Sequence, residues 1–242
     1  MKNSFVAFFD VLGFKNLVEK NSHEELIEIY EDKLYNTLNL SENIFNPILK
    51  FFTPEVEKDT LNIKTYLISD SIILIQNDLT KRGFLNMIAK CQLLLSHSFA
   101  DGIPLRGALS FGPVTIIENV RGTTIVGLGL TKAYDLERTQ QWSGGMIDYE
   151  CFNLFPDENA DAFIKKLLSN KENPLIIKYD IPLKNSLYNG YSFNWTQYNL
   201  IRDEKDIIEA FTKHKKEIIS SKEELMIDNT LKYYRHSKTI LK

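Results

Sequence analysis

The sequence predicts an α+β domain in which helices pack on one face of a mainly antiparallel sheet. Three observations carry that prediction. A short run of apolar residues, 4–10, reads as a buried strand. Two further strand-like runs flank the Ser69-Asp70-Ser71 turn, the mark of a hairpin. Stretches of helical period separate these strands, giving the order β-α-ββ-α-ββ(β)-α-β.

The first strand is rich in Phe, Val and Ala and ends abruptly in Asp10. Val11, Leu12, Gly13 and Phe14 follow as a turn, whose glycine lets backbone N–H groups approach a ligand closely. Ser22 and Glu25 stand at capping-box spacing and start a helix. Leu26, Ile27, Ile29, Tyr30, Leu34 and Leu38 carry its apolar face to about residue 40. Residues 41–60, with Pro47, Pro54 and a charge run, read as an elaborated loop. Residues 62–68 and 71–76 are the hairpin strands. A helix over 80–99 is amphipathic through Phe84, Ile88, Cys91, Leu94 and Leu95 and ends near Gly102. Residues 104–111 form a strand holding Arg106 and Gly107, then 114–118 and 123–126 form a hairpin. A helix over 128–141 and a strand over 144–149 complete this part. A ferredoxin-like, palm-type sheet fits the order. A dinucleotide-binding fold fits less well, since no G-x-G-x-x-G follows the first strand.

The character of the chain changes after about residue 155. A short helix over 160–168, a strand over 175–181 and an aromatic stretch over 191–198 precede one or two charge-rich helices within 203–242. The expected organisation is a domain over 1–155 and a C-terminal extension over 156–242, packed on the core and helical at its end.

Length and composition are those of an ordinary globular chain. Its 242 residues suffice for one substantial core, with 43% hydrophobic and 25% charged residues. A net charge of −3 provides no global field toward nucleic acid or anionic membrane. Cys91 and Cys151 are too few and too far apart for a disulfide framework or a zinc site, and both lie in apolar surroundings. The sequence has no signal-peptide pattern and no apolar stretch of membrane-spanning length, so a cytoplasmic protein is expected.

Asp10 and Asp70 stand out because each ends an otherwise apolar strand. A carboxylate at the lip of a buried strand is costly unless it meets a cation or hydrogen-bond donors. Taken singly, each aspartate is explained by a helix cap or an Asx-turn. As a pair on neighbouring strands they form a hard-oxygen site suited to Mg²⁺ or Mn²⁺.

Four stretches, in order, carry a resemblance. FFDVLGF resembles the F-x-D-(I/V)-x-G-F opening of class III nucleotidyl cyclase catalytic domains. YLISDSIIL is similar to their second hairpin, with Ser69-Asp70 where Gly-Asp is usual. LRGALSFGPV resembles their R-x-G-(I/L)-x-x-G-P-V strand and turn. VGLGLTKAYDLERTQQWSGGMIDYECF resembles the block in which a helix with a Leu-Glu pair leads to a glycine turn and a last strand. The resemblance covers roughly residues 4–152. It implies metal-dependent cyclisation of a nucleoside triphosphate, with Asp10, Asp70 and the Val11 carbonyl holding two divalent ions, Mn²⁺ or Mg²⁺. It further implies that Leu12, Gly13 and Phe14 cradle phosphates, and that two copies form a homodimer with sites at the subunit interface.

The departures bear on the substrate. The Asn and Arg usual on the late helix fall on Thr131 and Asp135, and Arg138, one turn along, is the candidate substitute. Four residues before the second metal aspartate, adenylate cyclases generally carry Lys and guanylate cyclases Glu. Here that residue is Tyr66, which resembles the bacterial pyrimidine cyclases of Pycsar anti-phage systems. A bulky aromatic there suits a one-ring base, and its hydroxyl can bond a pyrimidine edge. The resemblance therefore implies UTP or CTP as substrate, with a cyclic pyrimidine monophosphate acting on a separate effector. The alternatives are a purine cyclase and, since the usual Asn and Arg are missing, an inactive cyclase fold that binds a nucleotide. Arg106 is the other candidate contact for base or phosphates. Read without the resemblance, Tyr66 is a cross-strand aromatic, Arg106 the partner of a structural carboxylate such as Asp101, and Arg138 a surface charge.

Overall fold

The computed structural model describes residues 2–43, 63–155, 159–169, 174–198 and 200–240. The strand β1 (Lys2–Val11) lies inside one mixed sheet, paired antiparallel with β3 (Ser71–Gln76) on one side and β4 (Leu105–Asn119) on the other. The hairpin strand β2 (Ile63–Ile68) takes the edge beyond β3. On the other flank β4 pairs in parallel with β6 (Gly144–Ile147), and β5 (Gly122–Val126) pairs only with the far end of β4. The region predicted as an elaborated loop, 41–60, lies for the most part outside the described residues.

Alternation along β1 separates two apolar layers. Phe5, Ala7, Phe9 and Val11 face the larger core with Phe84, Ile88 and Leu94 of α4 (Lys81–Ala100). On the same side lie α1 (Phe14–Lys20), α2 (His23–Glu28), a π-helical stretch (Ile29–Tyr35) and α3 (Asn36–Asn43), which contribute Leu17, Ile29, Leu34 and Leu38. Ser22 and Glu25 form the predicted capping box at the start of α2. Val6 and Phe8 face the opposite side, where a smaller cluster includes Ile73, Ile75, Val114 and Ala133. Ala133 belongs to α5 (Leu128–Thr139). Helices thus cover both faces of the sheet, whereas the sequence pattern had them on one. A strand buried on both sides reads as a continuous apolar run, as residues 5–9 do.

Close backbone contact seats α5 on β4. A side chain at Gly129 would meet the Gly112 backbone, and one at Gly127 would run into the Pro113 carbonyl. Ser110 Oγ donates to the Gly129 carbonyl at 2.7 Å, and Tyr134 meets Phe8 edge-on at 5.5 Å. The sequence divided β4 at Gly112-Pro113, yet the strand runs through. Pro113 lies after the β6 partners (106–109) and before the β5 partners (115–119), so on that edge its missing N–H leaves no ladder bond unmade.

Beyond a 3₁₀ turn (Tyr149–Leu154) and α6 (Ala160–Leu168), the same sheet continues. The strand β8 (Leu187–Phe193) pairs with β6, and β7 (Ile176–Pro182) takes the far edge. Two helices, α7 (Glu204–Thr212) and α8 (Ser221–Ile240), then return to the larger core. Tyr233 of α8 packs against Trp142 at 4.6 Å and Trp195 at 5.6 Å, and its hydroxyl donates to the Phe193 carbonyl. Cys91 and Cys151 are buried free thiols. Among the described residues no helix is long and apolar enough to cross a membrane.

Candidate active site

The β1–β3 ladder ends at the pair Asp10 and Ser71, which sets Asp70 beside the last turn of β1. The Val11 N–H donates to the Asp70 carbonyl at 3.0 Å, tying the hairpin turn to that strand end. Ser69 holds φ 57, a left-handed conformation that glycine adopts freely and serine does not. Tyr30 donates to the Ser69 carbonyl at 2.9 Å and so steadies the strained turn. The two aspartates of the sequence reading are brought together: the Asp70 carboxyl lies within hydrogen-bond reach of Asp10.

Asp10 points to the same face as Val6 and Phe8, the face α5 covers. Opposite it in register is Arg106, whose Nη2 lies 3.6 Å from Asp10 Oδ2. The partner of Arg106 proposed from sequence, Asp101, is not the one found. Instead Nε donates to Glu137 of α5 at 2.5 Å, and Nη1 donates to the Gln140 carbonyl at 3.2 Å. The Glu137 side chain is 3% exposed and that of Arg106 11%, against 28% for Asp10. Asp10 and Glu137 therefore share a single guanidinium, with Asp70 next to Asp10. Burial, then the charge of Glu137, push the Asp10 carboxyl up to about 7, and Asp70 adds to this against the pull of Arg106.

The turn after β1 is partly committed. The Leu12 N–H donates to the Pro104 carbonyl at 2.9 Å and the Val11 N–H to Asp70, so both are engaged inside the chain. Gly13, at φ 76, is the exposed N-cap of α1, and the amides of the first helical turn begin there at Phe14. The extension reaches this turn. Asn16 bonds the Glu217 backbone twice, and Lys216 is buried next to Gly13 with Nζ donating to the Gly102 and Ala210 carbonyls. Burial, then the neighbouring Lys213, bring its ammonium down to about 7. A lysine run in a charge-rich tail gave no hint of this burial.

Two predicted residues stand apart from the carboxylates. Tyr66 lies opposite Ile73, itself opposite Phe8, which puts it on the face of Asp10 but roughly 12 Å away by strand spacing and rise. Its ring joins the smaller apolar cluster, and burial together with the Glu118 carboxylate raises its phenol. Arg138 is exposed on α5 with its guanidinium 5.5 Å from the Tyr134 ring centre, and among the described residues it forms no ion pair with Asp10 or Asp70. Thr131 and Asp135 are exposed on the same helix.

Among the described residues no group of three or more His, Cys, Asp or Glu side chains is placed to hold a metal ion. The fit is instead that of a magnesium-type site, in which one or two carboxylates are completed by substrate phosphates and water. Two adjacent carboxyls, one pushed up by burial and like charge, are under-compensated in this way.

No family model and no curated protein matches the sequence. Among solved structures, the adenylyl cyclase CyaB from P. aeruginosa is similar at 18% identity, covering 79% of this chain and 93% of that one, with a TM-score of 0.47. The guanylate cyclase domain of RhGC from Catenaria anguillulae, in complex with GTP, is similar at 10% identity, covering 80% and 96%, with a TM-score of 0.45. The backbones agree only in part at these scores, so what those proteins act on does not pass to this chain by similarity.

Proposed function

We propose that this protein is a nucleotidyl cyclase that converts UTP or CTP to the 3′,5′-cyclic monophosphate and pyrophosphate. The observation that carries the reading is the Asp10–Asp70 pair, two adjacent carboxyls at one strand end with one nearby guanidinium. Asp10, Asp70 and the Val11 carbonyl would hold the divalent ions, Mn²⁺ or Mg²⁺. When bound, such ions neutralise the triphosphate and acidify the attacking ribose hydroxyl. Arg106 then meets the phosphates through Nη2, the nitrogen that its α5-side partners leave, and the open amides from Gly13 into α1 meet the terminal phosphate. The 3′-oxygen bonds to the α-phosphorus, the bond from that phosphorus to the bridging oxygen breaks, pyrophosphate leaves with that oxygen and its electron pair, and the hydroxyl proton passes to water.

Tyr66 supports a pyrimidine. It stands on the Asp10 face, at a distance that a nucleotide spans, and its phenol, which bonds Glu118 here, would turn from that carboxylate to bond the base edge. Arg138, turned to solvent on α5, would act across a homodimer, on the site of the other copy. The cyclic product would serve as a messenger to a separate effector in anti-phage defence.

Incubation with Mn²⁺ and each of ATP, GTP, CTP and UTP, with mass spectrometry of the products, tests this. A cyclic pyrimidine monophosphate that disappears in Asp70→Asn is expected. A cyclic purine would sink the base assignment, and no product from any of the four would sink the activity.

A further inference from the structure

Arg106 reaches the Asp10 end of the sheet, but its placement is decided 31 residues later in the chain. Glu137 takes Nε and the Gln140 carbonyl takes Nη1, so two of its nitrogens are held from the α5 side and Nη2 is turned to Asp10. Gln140 is fully buried and fixed in turn. Its Nε2 donates to the Gly107 carbonyl at 2.8 Å, and its Oε1 accepts from Trp142 Nε1 at 2.8 Å. The extension braces that loop: Asn229 donates to the Gln141 carbonyl, and the Ser143 N–H donates to Thr230 Oγ1.

We propose that Glu137 is the positioning residue of this site, aiming the Arg106 guanidinium at the phosphates, with the 140–143 loop and α8 holding the anchor. The proposal rests on the cyclase reading and deepens it. Glu137 touches neither substrate nor metal. It acts by removing the freedom of a long side chain, which otherwise leaves a nearly buried cation with the Gln140 carbonyl at 3.2 Å and a weak contact to Asp10 at 3.6 Å. It also explains why a carboxylate at 3% exposure stands on a helix whose neighbouring positions, Arg138 and Asp135, are solvated.

The test compares Arg106→Met, Glu137→Leu, Glu137→Gln and the double Arg106→Met/Glu137→Leu, reading kcat and KM on the nucleotide the wild type cyclises, with thermal melts alongside. Glu137→Leu is expected to lower kcat by about 10- to 100-fold, as loss of a supporting contact does. Glu137→Gln, which keeps an acceptor for Nε, is expected to restore most of that. The double variant is expected to be no slower than Arg106→Met alone, since a positioning residue has nothing left to position. Losses that multiply in the double variant, or a Glu137→Leu kcat within twofold of wild type, would overturn the proposal. If Glu137→Leu alone does not fold, the double variant, which buries two apolar side chains in place of an unpaired cation, still decides against Arg106→Met. A wild type that cyclises none of the four nucleotides would fail the cyclase reading and this proposal together. An active wild type with an unaffected Glu137→Leu would fail this proposal alone.

Discussion

The two faces of β1 follow the same alternation and end differently. On one, Phe5, Ala7, Phe9 and Val11 stay apolar to the strand end and build the larger core. On the other, Val6 and Phe8 give way to Asp10, and the helix above supplies Glu137 where a core would place a leucine. The first face stabilises the fold. The second gives up stability, since Glu137 and Asp70 both press on the Asp10 carboxyl in a half-dry setting, with Arg106 as the nearby cation. A protein keeps such an arrangement where a cation or a phosphate is to be met.

Breaking the first face gives the largest effect. Phe9→Ala, at a fully buried ring packed over Gly107 and against Phe193, is expected to cost about 3–5 kcal/mol in urea denaturation, from lost transfer energy and the cavity left behind. An unchanged midpoint would show that this face does not carry the core.

Breaking the second face is expected to do the opposite to stability. The folded Asp10 titrates at about 7, against an unfolded value of 3.8, so the folded state holds an extra proton between these limits. Stability is therefore lost as pH rises from about 4 through 7. Asp10→Asn removes that loss. Without divalent ions at pH 8 it is expected to be more stable than wild type by about 1 kcal/mol, allowing for solvent screening at a partly exposed group. The gain is expected to vanish near pH 4, and activity to be lost at every pH. A variant less stable than wild type at pH 8 would contradict the raised carboxyl.

The smallest effect belongs to the β2–β3 turn, which is tied to the end of β1. Ser69→Gly relieves a left-handed serine and is expected to gain about 0.5–1 kcal/mol, less than the full strain because glycine also loosens the unfolded chain. Thermal melts that place Ser69→Gly below wild type would show that the Tyr30 bond already removes the strain.

Much of the architecture was legible because its signals are local. The Ser22–Glu25 capping box, the period of α4 and the Ser69-Asp70 hairpin each depend on residues a few positions apart. The helix α1 was not legible: it has seven residues, and its N-cap is Gly13, with no side-chain cap bond. The charge-rich tail read as a solvated surface, yet Lys216 within it is buried beside Gly13.

By itself the sequence determined most of the order of strands and helices, the apolar run of β1 that ends at Asp10, and Asp70 at the hairpin turn. Hydrophobic period and capping chemistry are written in neighbouring residues. Only the tertiary structure decided that Arg106 pairs with Glu137 and not Asp101, that α5 covers the Asp10 face, and that the extension braces the loop behind it. Those outcomes depend on which distant segments share a dry space, and a charge takes the partner that burial leaves within reach.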